Sequence, residues 1–208
     1  SLAAVLPVAA RHGAAVVGLT LDEDGIPSTA GERAAIARRI VARAEEAGIA
    51  PEDVSIDCLA MAASTDQGGV AQILEALRLV RASLPVQTML GVSNISFGLP
   101  LRPLVNATFL AEALSAGLTM PIMNPLDTRS AAVVAVHRVL DGEDGGARAY
   151  IEGCAGRTDA AAATAPGPAT AVGGAGEGAG VRRARPRWRP PGGATAPPVS
   201  RCCWRTTA

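Results

Sequence analysis

The sequence predicts an α/β protein of the parallel (β/α) TIM-barrel type, with about four β/α units followed by an unlike tail. Three observations point there. Short apolar runs alternate with amphipathic helical patterns. The runs begin at residues 16, 54, 86 and 119, giving spacings of 38, 32 and 33, the length of one strand–helix unit. No glycine-rich phosphate loop follows any run, which disfavours a doubly wound nucleotide-binding sheet.

Each element has its own signal. Leu2 to Arg11 reads as a helix with Gly13 past its end. Val16 to Leu21 (VVGLTL) is a short buried strand. Thr29 to Ala47 is a helix opened by a capping box, Thr29 with Glu32. Its apolar face carries Ile36, Ile40 and Ala44, and Gly48 stops it. Val54 to Leu59 (VSIDCL) is the second strand, and Val70 to Ser83 the second amphipathic helix, with Ile73, Leu77 and Val80. Val86 to Gly91 is the third strand. Pro103 to Ala116 follows as a helix with proline in its first turn. Thr119 to Met123 is the fourth strand, and Asp127 caps a last helix, Thr128 to Leu140.

A closed barrel needs eight such units and about 200 residues or more. Four units, preceded by a helix, correspond to a C-terminal half-barrel. Such a half leaves two free strand edges and one open apolar face. The expectation is a further half-barrel, N-terminal to this segment or supplied by self-association with a second copy.

The formal net charge of +0 hides a division. Residues 1–154 hold eleven arginines against seventeen acids, a net −6, and residues 155–208 hold eight arginines against two acids, a net +6. All 19 basic residues are arginine. The absence of lysine excludes a P-loop lysine, a Schiff-base lysine and any PLP chemistry that needs one. No apolar run reaches the roughly 18 residues of a membrane span, and no basic n-region marks a signal peptide. A cytoplasmic protein is expected.

Residues 1–153 are therefore expected to form the ordered domain and 154–208 a disordered Ala/Gly/Pro/Arg-rich tail. The tail contains no Ile, Leu, Met or Phe from Ala155 onward. Arg182 to Pro191, with Trp188 able to stack on a base, suggests a nucleic-acid arm, although such a composition also arises by translating GC-rich DNA out of frame. No nucleic-acid partner is expected. Cys58, Cys154, Cys202 and Cys203 form no C-x-x-C and support neither a zinc site nor a disulfide framework.

Chemistry in a β/α barrel sits at the C-terminal strand ends. Here these carry Asp22-Glu23-Asp24, Asp57-Cys58, Gly91-Val92-Ser93-Asn94 and Asn124-Pro125. The first reads most simply as a solvated loop and the last as a turn. Asp57 is more informative, because a carboxylate in an apolar strand is costly unless it is paired or poised for a ligand.

The segments VVGLTLDEDGIP (16–27), IDCL (56–59), LGVSNISFGLP (90–100), NATFLAEALSAGL (106–118) and MPIMNPLD (120–127) carry a resemblance. Together they resemble the pterin-binding domain of cobalamin-dependent methionine synthases and of related methyltetrahydrofolate:corrinoid methyltransferases. The resemblance implies a TIM barrel that binds 5-methyltetrahydrofolate at its mouth and presents the N5-methyl group to a Co(I) corrinoid. The cobalamin would sit on a corrinoid-binding domain or protein, and no metal ligand is expected from this chain. Asn94 matches the asparagine that hydrogen-bonds N5, the catalytic position. An amide can donate to the neutral amine or accept from its protonated form. Asp57 matches the aspartate that accepts from the pterin's amino-pyrimidine edge. Gly91 and Ser93 match the loop beside it, glycine allowing a flat ring to approach. Arg102 matches an arginine near the mouth.

The family's earlier pterin ligands, another aspartate and another asparagine, lie on strands that precede the residues present here. Two other readings follow: an inactive truncated piece of such an enzyme, or a dihydropteroate-synthase-like half-barrel. The second would want a Lys/Arg phosphate constellation at the last strands, and lysine is absent.

Overall fold

The computed structural model describes residues 2–155. The expected tail lies outside the described residues except for Cys154 and Ala155. In chain order the elements are α1 (Leu2–Arg11), β1 (Val16–Leu19), α2 (Ala30–Glu46), β2 (Val54–Asp57), α3 (Gln67–Ser83), β3 (Gln87–Gly91), α4 (Arg102–Ser115), β4 (Met120–Ile122), α5 (Thr128–Leu140) and α6 (Arg148–Cys154). The four strands form one sheet in the order β1-β2-β3-β4, every pair parallel. Consecutive parallel strands joined by helices are four successive units of a (β/α) barrel.

β1 and β2 stop earlier than the apolar runs that announce them, because the backbone turns at their C-terminal ends, whereas β3 ends at Gly91 as expected. Leu21 N donates to the Leu19 carbonyl at 2.8 Å, and Asp22 bridges to Gly25, ending β1. Leu59 takes φ 59°, a left-handed conformation, and ends β2. After β3 the chain enters a 3-10 turn, Val92–Ser96.

The helices follow their caps. Thr29 Oγ1 accepts from Glu32 N at 3.3 Å, and Thr29 N donates to the Glu32 carboxylate at 3.3 Å, completing the expected capping box. Asp66 accepts from Gly69 N at 2.9 Å, so α3 starts at Gln67, three residues before the expected Val70. Helix α6 has no counterpart in the sequence reading. Its signal is Asp144, whose carboxylate accepts from Ala149 N at 3.2 Å and Tyr150 N at 2.9 Å.

Packing separates the two sheet faces. Cross-strand partners share a face, and alternate residues take opposite faces. Val54, Ile56, Thr88 and Leu90 point toward the helices and are fully buried, as are Leu77 of α3 and Leu110 of α4. Burying each large apolar side chain stabilises by about 1.5–3 kcal/mol. Gly18 belongs to this face, where a Cβ would lie 2.6 Å from Ile40 Cγ2, so glycine lets α2 close on β1.

The opposite face is made of rows. Val17, Ser55 and Gln87 form one, Leu19, Asp57, Met89 and Met120 the next, and Gly91 and Ile122 the last. Val17, Leu19 and Ile122 remain exposed there. In a closed barrel this face is the interior. No helix among the described residues is long and apolar enough to cross a membrane.

Candidate functional site

The strand ends bring Asp57 and the Gly91–Asn94 loop to the same edge of the open face. Asp57 is the last residue of β2, and Met89 is its partner on β3. Gly91, two residues further along β3, points to the same side. The two candidate positions are thus neighbours on adjacent strands, although 34 positions apart in the chain.

Asp57 is half-buried. Its Oδ1 accepts from Leu59 N at 2.8 Å, an Asx-type turn made possible by the left-handed Leu59. Burial raises its pKa above the usual carboxylate range, and the Leu59 N–H opposes that shift. Its backbone carbonyl is fixed too, accepting from Thr20 N and from Thr20 Oγ1, each at 3.1 Å.

Asn94 stands on the 3-10 turn after β3 and is exposed. A Cβ added at Gly91 would sit 3.0 Å from Asn94 Nδ2. The glycine here therefore makes room for the asparagine amide folded back over the strand end, a refinement of the steric role expected from sequence.

Arg102 begins α4 and is spent on this same loop. Its Nε donates to Ser96 Oγ at 3.0 Å, its Nη2 donates to the Ser93 carbonyl at 3.2 Å, and its guanidinium lies 4.6 Å from the Phe97 ring centroid. Ser96 Oγ in turn donates to the Ser93 carbonyl at 3.1 Å. Arg102 thus holds the turn that carries Ser93 and Asn94. Beside it is a cavity of about 210 Å³ lined by Ser93, Arg102, Asn106, Asn124 and Asp127 among others. Asn106 Oδ1 is buried there without a hydrogen-bond partner.

The remaining strand-end candidates take the simpler roles the sequence allowed. Asp22 accepts from Asp24 N at 3.2 Å and lies 3.6 Å from Arg39, at the edge of an open cleft of about 430 Å³. Asn124 Oδ1 accepts from Leu126 N at 3.0 Å, closing a turn. Cys58 faces the helices, and burial pushes its thiol up to about 12, so it is no nucleophile at neutral pH. Among the described residues no group of three or more His, Cys, Asp or Glu could hold a metal ion.

Sequence reasoning missed Arg33, which is only 3% exposed. Its Nε donates to the Pro27 carbonyl at 2.9 Å, and its Nη1 donates to the carbonyls of Cys58 at 2.8 Å and Leu59 at 3.0 Å. A signal was present: position 33 falls on the same helical stripe as Ile36, Ala37, Ile40 and Ala44.

Known proteins resemble this chain over its first two thirds. A family profile described as "Pterin binding enzyme" matches residues 2–124. The chain is 38% identical over 131 residues to a methionine synthase of Mycobacterium tuberculosis, an alignment covering 59% of this chain and 11% of that protein. It is 37% identical over 128 residues to a methionine synthase of Mycobacterium leprae, covering 57% of this chain and 10% of the relative. With a methylcorrinoid:tetrahydrofolate methyltransferase of Eubacterium limosum it shares 29% identity over 136 residues, 65% of this chain and 50% of the relative. The chain thus spans about a tenth of the two synthases and half of the methyltransferase.

Proposed function

The chain belongs to the family of pterin-binding enzymes, and from that membership we propose that it binds the pterin of 5-methyltetrahydrofolate and presents the N5-methyl group for transfer to a corrinoid. The observation that carries the reading is the placement of Asp57 and Asn94 at adjacent strand ends on the open face. Relatives named methionine synthase and methylcorrinoid:tetrahydrofolate methyltransferase support the reaction class.

The roles follow from the side-chain chemistry. A pterin presents N–H donors along its amino-pyrimidine edge. One oxygen of Asp57 is occupied by Leu59 N–H, and a carboxylate has lone pairs on both oxygens, so acceptor capacity remains for that edge. Pairing with N–H donors would favour the charged carboxylate and offset its burial. Asn94 would contact N5. Its amide donates to the neutral tertiary amine of the substrate and, reoriented, accepts from N5–H once that nitrogen is protonated. A contact stronger in the protonated form makes N5 a better leaving group, which is transition-state stabilisation. Gly91 gives the amide room to reorient, and Arg102 with Ser93 fixes the turn on which it rides.

The corrinoid, on another domain or protein, supplies the nucleophile that accepts the methyl group. The open face of the half-barrel is completed by further β/α units or by a second copy, which would add pterin contacts to those made here.

The test is calorimetric titration of the chain with 5-methyltetrahydrofolate, alongside Asp57→Asn and Asn94→Ala. Hydrogen bonds to charged groups contribute about 1.5–3 kcal/mol. Asp57→Asn should therefore weaken binding by roughly ten- to hundredfold. Asn94→Ala should weaken it less, since the N5 contact strengthens only on protonation. Saturable binding unaffected by either change would move the site elsewhere, and absence of heat would overturn the reading for this chain.

A further inference from the structure

Arg33 is a buried cation that the folate chemistry does not use, and its three hydrogen bonds converge beneath the end of β2. It reaches there from α2, across the helix-facing side of the sheet, and binds only backbone carbonyls. Two of them, Cys58 and Leu59, immediately follow Asp57. The third, Pro27, belongs to the loop between β1 and α2. Leu59 is the residue whose N–H holds Asp57 Oδ1, and it does so from a left-handed conformation that leucine seldom takes. Such a conformation persists only where its surroundings fix it. Arg33 supplies that fixing from one side of the chain while Asp57 supplies it from the other.

We propose that Arg33 is a positioning residue: by clamping the Cys58 and Leu59 carbonyls it holds the strand-end turn whose N–H sets the Asp57 carboxylate in place for its ligand. The proposal deepens the pterin reading and rests on it for the identity of that ligand.

The residue type fits the task. A guanidinium is a planar fork with five N–H donors and stays charged when buried. It can donate to carbonyls on two segments at once, whereas an ammonium is a point charge on a flexible stem. The carbonyls replace the water lost on burial. The ionisable groups whose charges reach Arg33 are Cys58, on β2's continuation, and Asp66, the cap of α3. The thiol is neutral at ordinary pH, so of these two Asp66 is the anion, and the Asp57 carboxylate lies on the other side of the turn that Arg33 clamps.

The experiment uses the full 208-residue chain with ¹³C-labelled aspartate, in wild type, Arg33→Met and Arg33→Lys. Two quantities are followed: the titration midpoint of the Asp57 carboxyl and the Leu59 amide proton shift across that titration. Affinity for 5-methyltetrahydrofolate is measured in parallel. In wild type the Leu59 amide should shift as Asp57 titrates. In Arg33→Met the Asp57 midpoint should rise, because the N–H that favours its charged form is no longer held. The Leu59 response should shrink, and affinity should fall about ten- to hundredfold, by analogy with the loss when a partner orienting a metal ligand is removed. Arg33→Lys should fall between the two. A merely structural arginine would lower the melting temperature and leave the midpoint and the amide response unchanged, and that result would overturn the proposal. Should Arg33→Met fail to fold, Arg33→Lys decides by the same readouts. If wild type binds no folate and the midpoint still shifts, the clamp on Asp57 stands and the pterin reading fails.

Discussion

The two faces of the sheet are built from alternate residues of the same strands, and they differ in almost everything else. On the helix side, Val54, Ile56, Thr88 and Leu90 are 0% exposed. On the other side Val17, Leu19 and Ile122 keep 48%, 44% and 55% of their surface, and Ser55, Gln87 and Asp57 lie among them. The buried face carries the stability of this unit. The open face carries the carboxylate proposed to hold the pterin. Substitution should therefore separate fold from function by parity along a strand.

The largest effect should come from the buried side. Leu77→Ala is expected to cost about 2–5 kcal/mol in urea unfolding, against about 0.5 kcal/mol or less for Leu19→Ala. A comparable loss at Leu19 would break the contrast and mean that the open face is covered in solution. Next comes the closest approach in the core. Gly18→Ala drives a Cβ toward Ile40 and is expected to cost about 1–3 kcal/mol by overpacking. Pairing it with Ile40→Ala should recover part of that cost, and a double-mutant cycle measures the coupling. Additive losses would mean that the strand moves instead.

Smaller again is the cap of α2, which stands outside both faces. Thr29→Ala is expected to cost about 1 kcal/mol, read from the same unfolding curves. The smallest expected effect is on the open face and concerns pH. Burial raises the Asp57 pKa in the folded protein above its ordinary 3.8. The folded state therefore binds the proton more tightly than the unfolded chain. Stability contributed by that proton is fully present below 3.8 and is lost as pH rises through the folded value. Asp57→Asn, which keeps an acceptor for Leu59 N–H, should flatten this decline and be slightly more stable at neutral pH. A variant that is instead less stable at pH 7 than wild type would give the ionised carboxylate a structural partner on the open face.

How much of this was legible in the sequence follows the same division. The buried face announced itself, since Val54 with Ile56 and the stripe Ile73, Leu77, Val80 repeat at strand and helix periods. The Thr29–Glu32 box needed only local spacing. Asp57 was legible as a carboxylate interrupting an apolar run. Its partner Leu59 was not, because leucine does not advertise a positive φ as glycine or asparagine would. Arg33 escaped because its three acceptors are backbone carbonyls, which no residue identity reveals. Gly91 was recognised as a place needing space. That the space is used by Asn94, three residues on, depends on the 3-10 turn between them, which a period-based reading does not resolve.

The strand order 1-2-3-4 has a consequence for how the molecule forms. Among the described residues every sheet contact joins a strand to the next one along the chain, so each pairing closes a loop of one helix and its turns, and none waits for a distant segment. Folding of such an array resembles the closing of a zip: any adjacent pair can nucleate, and each further unit adds to a surface already laid down. Loss of a unit at either end leaves the pairing of the others topologically intact. In a design of this kind, duplication, splitting and recombination act on whole teeth of the zip.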